Sequence, residues 1–150
     1  MGLGCSRGAF MLIEDCIRLS LLHHFGNDKV YNKYQCQMDS FSDDGILSLP
    51  MYSNVAKLLA DDKDKIIIDI GCGDGCQQFL FDDFKGYVGI DKLQEPISVS
   101  DNCKMYHGDC KDILSNLDLR GTIAISLHAG SYFSEIGDEV KKYFNRIIMV

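Results

Sequence analysis

The stretch Lys65-Ile-Ile-Ile-Asp-Ile-Gly-Cys-Gly-Asp-Gly75 constrains this chain more than any other. Its apolar, β-branched run predicts a strand covered on both faces. The glycines at alternate positions, Gly71, Gly73 and Gly75, predict a tight turn where backbone N–H groups approach a ligand closely, with a helix opening near Cys76. Twenty residues beyond Gly71, Asp91 follows a second short apolar strand at 87–90. A glycine turn after one strand and an acid ending the next is how α/β folds hold a nucleoside, the acid accepting from the ribose hydroxyls. A dinucleotide site is the nearest competitor, but it wants Gly-x-Gly-x-x-Gly, and position 76 is Cys.

From residue 65 onward, strands expected at 65–70, 87–90, 104–107, 122–127 and 146–150 alternate with short crossovers. This predicts an α/β, Rossmann-like fold: a mostly parallel sheet of about five strands flanked by helices. The Pro/Ser-rich piece between Asp91 and Cys103 predicts a loop. Residues 134–145 predict a helix with Ile136, Val140, Tyr143 and Phe144 on one side.

Residues 1–60 read as a helical and flap segment ahead of the core at 61–150, within one domain. A helix is expected at 10–25, with Phe10, Ile13, Ile17 and Leu21 inward, Glu14 pairing with Arg18, and Gly26 as the stop. His23 and His24 are expected at its surface. The polar stretch 26–48 reads as a mobile flap over a bound cofactor, with Tyr31, Tyr34 and Phe41 interleaved. Pro50 is expected in the first turn of a second helix that carries Met51, Val55, Leu58 and Leu59 inward.

A net charge of −7 spread along 150 residues disfavours duplex DNA as substrate, since phosphate binding calls for a basic patch. No apolar run reaches the ~18 residues of a membrane span, and no secretory leader is evident. The seven cysteines include no Cys-x-x-Cys pair, which argues against a zinc module and for reduced thiols in a cytoplasmic protein. The opening Met-Gly-Leu-Gly-Cys-Ser fits the N-myristoylation pattern at Gly2, with Cys5 as a second lipid site, but so short a pattern recurs by chance.

The chain resembles the class I S-adenosylmethionine-dependent methyltransferases. Their first motif is an apolar strand, an acid (here Asp69), one residue, then Gly-x-Gly-x-Gly. The likeness continues in order through Tyr87 to Asp91, Met105-Tyr-His-Gly-Asp109 and the strand at 122–127, and covers roughly residues 65–150. It implies S-adenosyl-L-methionine as cofactor and methyl transfer to a small molecule or a protein side chain. A catalytically silent, cofactor-binding subunit that needs a partner chain is the alternative, and an NAD-dependent oxidoreductase a more distant one.

By the same resemblance, Gly71, Gly73 and Gly75 line the methionine part and Asp69 helps to position its amino group. Asp91 holds the ribose, Lys92 or Leu93 flanks the adenine, and Asp109 accepts from the adenine N6 beside the Cys110 backbone N–H. The Asn/Asp-Pro-Pro-Tyr/Phe motif of enzymes that methylate base amino groups is missing from Ser126-Leu-His-Ala-Gly-Ser131. His128 is the expected general base, and Tyr132 and Phe133 the walls of an acceptor pocket. The family sheet has seven strands, whereas this sequence runs to Val150 at the end of the fifth. A homodimer or a partner subunit covering that edge is therefore expected.

Overall fold

The structure, a computed structural model, describes residues 12–127, 137–138 and 140–149. Five strands form one sheet in the order β3-β2-β1-β4-β5: β1 Ile66–Ile70, β2 Gly86–Asp91, β3 Cys103–His107, β4 Thr122–Ser126 and β5 Ile147–Met149. Every pairing is parallel. The chain enters at β1, builds outward to β3, then crosses back to β4 on the other side. This is a Rossmann-like α/β fold, and its strand order reverses beside β1.

Alternation along the strands sorts the core into two layers. Ile67, Tyr87, Ile123 and Ile125 face the N-terminal helices. Ile68, Ile70, Ile90 and Ala124 face the opposite way, onto Leu114, Val140 and Phe144. Both faces of β1 are therefore covered, as a run of isoleucines requires. The loop expected after Asp91 is present. Of the helix expected at 134–145, residues 137, 138, 140 and 141 are helical, the turn ends before Phe144, and Ile136 lies outside the described residues.

The N-terminal segment departs most from expectation. Helix α1, Ile13–Phe25, ends on Gly26 in the left-handed conformation (φ 75°), as its stop signal predicts. Arg18, however, pairs with Asp28 at 3.0 Å, while Glu14 accepts from the Tyr31 hydroxyl at 2.6 Å. His24 is half-buried, its Nδ1 2.6 Å from Ser53 Oγ. Residues 26–48 form no flap: α2, Lys29–Tyr34, and a 3-10 helix, Gln35–Ser40, bury Tyr31, Tyr34 and Met38 in the core, and Phe41, just after them, joins it. Four large apolar side chains outweigh the polar composition around them.

Helix α3, Asp43–Leu58, begins well before Pro50, which lies inside it. Ser42 caps it, accepting from Gly45 N at 3.4 Å, so a Ser-Asp-Asp start sets the boundary that Pro50 was expected to set. Tyr52, Val55 and Leu59 point inward, but Leu58 is 72% exposed.

Candidate functional site

The turn after β1, the strand beside which the order reverses, stands next to the C-terminal ends of β2 and β3, the end of the sheet at which open α/β folds bind ligands. Gly71, Gly73 and Gly75 all take left-handed backbone, with φ of 80°, 65° and 89°. Gly71 N and Cys72 N donate to Ile90 O at 2.8 and 3.1 Å, which ties the turn to the end of β2. The carboxylate of Asp91 then takes three backbone N–H groups. Oδ2 accepts from Gly73 N at 2.9 Å, and Oδ1 from Leu93 N at 2.9 Å and Gln94 N at 3.1 Å. Of its roughly four acceptor sites, about one stays open.

The glycines differ in what surrounds them. A Cβ on Gly75 would push aside the Met105 methyl group, the end of a flexible side chain, so it is mainly the left-handed backbone at φ 89° that calls for glycine there. A Cβ on Gly73 would meet only Gln94 Nε2, at 3.4 Å. Of these two, Gly73 is the less crowded.

Asp109 caps helix α4, Cys110–Leu114, by accepting from Lys111 N at 2.9 Å, and Lys92 Nζ stands 3.8 Å from its other oxygen. Gly108 N donates to Asp91 O at 2.9 Å. The expected residues Gly73, Asp91, Lys92 and Asp109 thus form one continuous rim. Cys110 has its side chain buried, and Leu93 is 93% exposed beside Asp91. His128, Tyr132 and Phe133 lie outside the described residues, as do Gly2 and Cys5.

Asp69 does not open onto the rim. It is fully buried, and its oxygens accept from Tyr52 OH (3.2 Å), Gln77 Nε2 (2.8 Å) and Tyr87 OH. Burial raises its pKa to about 6, against the lowering effect of those three hydrogen bonds. Gln77 Nε2 also donates to Cys72 O at 2.8 Å, linking this carboxylate to the glycine turn. Burial, with Asp69 and Asp91 nearby, pushes the Cys72 thiol far up, so it is no thiolate nucleophile.

Three polar residues escaped the sequence reading. Asp74, the one charge within the glycine turn, accepts from Cys76 N (3.1 Å) through Oδ1 and from Ser42 N (2.7 Å) and Oγ (2.8 Å) through Oδ2. Gln78 staples the loop after Asp91: its Oε1 accepts from Val99 N and Ser100 N, both at 2.7 Å, and its Nε2 donates to Ile97 O at 2.7 Å. Gln77, its neighbour, is equally buried. Two adjacent glutamines inside an apolar helical stretch were the available signal, since buried amides must find partners. The helix expected near Cys76 is a six-residue 3-10 helix, Cys76–Phe81. Its first N–H is already taken by Asp74.

No protein-family model matches the chain, and no curated protein matches it. No helix among the described residues is long and apolar enough to cross a membrane.

Proposed function

We propose that this chain is a methyltransferase that uses S-adenosylmethionine and acts on a small molecule or a protein side chain. The observation that carries the reading is the hydrogen bond from Gly73 N to the Asp91 carboxylate, across the C-terminal ends of the adjacent strands β1 and β2. It brings the glycine turn and the acid, which a nucleoside site needs together, within 2.9 Å of each other. The cofactor supplies the electrophile, a methyl group on a sulfonium, so the protein's task is to bind, orient and exclude water. In this reading the turn at Gly73 takes the methionine part, and Asp91's remaining acceptor site takes a ribose hydroxyl. Asp109, Lys92 and the backbone at Cys110 border the adenine, with Leu93 over it. His128 is the proposed base for the acceptor.

The surroundings of Asp74 favour this reading over a dinucleotide enzyme. A pyrophosphate needs the free N–H groups of a helix N-terminus. Here the helix after the turn is short, and a carboxylate already occupies its start. Calorimetric titration with S-adenosylmethionine, S-adenosylhomocysteine and NAD tests the proposal. The first two should bind and NAD should not; binding of NAD alone would overturn it.

Two coarser proposals accompany this one. All six described cysteines are free thiols, which suits a cytoplasmic setting. Strand β5 pairs with β4 on one side, and Met149 is 54% exposed. A second copy or a partner subunit would cover that edge. Light scattering that finds a strict monomer across a wide concentration range would exclude the second copy.

A further inference from the structure

Asp69 is a carboxylate without exposure whose partners, among the described residues, are two phenols and an amide. No lysine, arginine or histidine among those residues pairs with it. An acid so placed costs stability relative to a neutral side chain of similar shape. Its position suggests what it does: through Gln77 it is one hydrogen bond from Cys72 O, in the turn that carries Gly73.

We propose that the charge state of Asp69 is linked to ligand binding at the glycine turn, so that a cationic sulfonium nucleoside binds with release of a proton and binds more tightly as pH rises. This inference rests on the proposed function and adds a regulation to that site.

Among the described residues, the groups facing Asp69 come from several elements. Tyr52 reaches it from α3 and Tyr87 from β2, and burial pushes both phenols well above their ordinary pKa, so they stay neutral. The Cys72 thiol stays neutral for the same reason. Gln77 carries no charge. Among the described residues Asp91 is the remaining ionisable group that acts on it, and its charge raises the Asp69 pKa further, after the larger effect of burial. A sulfonium held at the turn by Gly73, which Gln77 links to Asp69 through Cys72 O, acts on the same carboxylate with the opposite sign. It favours ionised Asp69, and the proton leaves to solvent. The network tolerates both states, because the Tyr52 and Tyr87 hydroxyls donate to a carboxylate and can turn to accept from a carboxylic acid.

With Asp69 at about 6 in the free protein, a ligand charge that lowers it by about one unit raises affinity about five-fold between pH 5 and pH 7. The test is calorimetry with S-adenosylmethionine from pH 5 to 7, repeated near pH 6 in two buffers of different ionisation enthalpy to count protons. S-adenosylhomocysteine, which lacks the sulfonium charge, and Asp69→Asn serve as controls. Expected are a fractional proton released by the parent, a smaller release with S-adenosylhomocysteine, and a flat profile for Asp69→Asn. Should Asp69→Asn fail to fold, the proton count on the parent decides. Binding without pH dependence or proton release overturns this inference and leaves the proposed function standing. Equal release with both ligands overturns the role of the cation. Absence of binding at every pH overturns the proposed function, and this inference with it.

Discussion

Gly73 and Gly75 share a backbone conformation but answer to different demands. With φ of 89° and Met105 against it, Gly75 serves the fold. Gly75→Ala should destabilise the protein by about 1–3 kcal/mol in urea unfolding, from left-handed backbone strain and the displaced Met105. Gly73→Val meets little but Gln94, yet a β-branched residue at φ 65° carries left-handed strain of its own, so the variant should fold with lower stability, while its side chain crowds the turn and abolishes S-adenosylmethionine binding. A folded Gly73→Val with unchanged affinity would contradict the assignment. At Asp91 the effects overlap, since its carboxylate holds Gly73, Leu93 and Gln94 as well as any ribose. Asp91→Ala should weaken binding by about 1.5–3 kcal/mol, the range for hydrogen bonds to a charged group. It should also lower stability, and parent-like affinity would show that the ribose sits elsewhere.

At the scale of elements, the strands were legible and the N-terminal segment was not. The isoleucines of β1 and the apolar run of β4 can satisfy themselves only between two covered faces, so their pattern alone reveals the sheet. The segment 26–48 hides its structure in four aromatic or sulfur side chains scattered among polar residues. Its partners, such as Asp82 for the Tyr34 hydroxyl at 2.6 Å, lie far away in sequence. Pro50 misled because a strong local signal for a helix start was overridden by the Ser42 cap and the packing of α3 on the 3-10 helix after the turn. That contact is built around Gly45, whose Cβ would stand 2.6 Å from Asp74 Oδ1. Asp74→Ala removes the acceptor for Ser42 and Cys76 together, and should cost about 2–4 kcal/mol in urea unfolding, as two or more charge-assisted hydrogen bonds are lost. A change below about 0.5 kcal/mol, the level of an ordinary surface substitution, would mean that α3 docks without the clasp.

For the whole molecule, Asp69 makes stability depend on pH in a direction opposite to most carboxylates. Its folded pKa of about 6 lies above the unfolded value of about 3.9. Between the two, the folded state holds a proton that the unfolded state has lost, so stability falls as pH rises from about 4 to about 6 and then levels. The amount is about 3 kcal/mol, two pH units at 1.36 kcal/mol each. Asp118, held at about 2 by Arg120, acts in the other direction at lower pH, and this contribution cancels when the parent is compared with Asp69→Asn. Urea unfolding of both at pH 4.5, 5.5 and 7 should show the parent losing stability relative to the variant; parallel profiles would refute the buried charge. If the glycine turn and Asp91 together form a nucleoside site, backbone amide resonances followed during titration with S-adenosylmethionine will report it. Saturable shifts are expected at Gly73, Leu93 and Gln94, whose N–H groups all meet the Asp91 carboxylate, with smaller changes at Lys111 beside Asp109. Saturable shifts confined to other parts of the chain, with Gly73 unmoved, would contradict it.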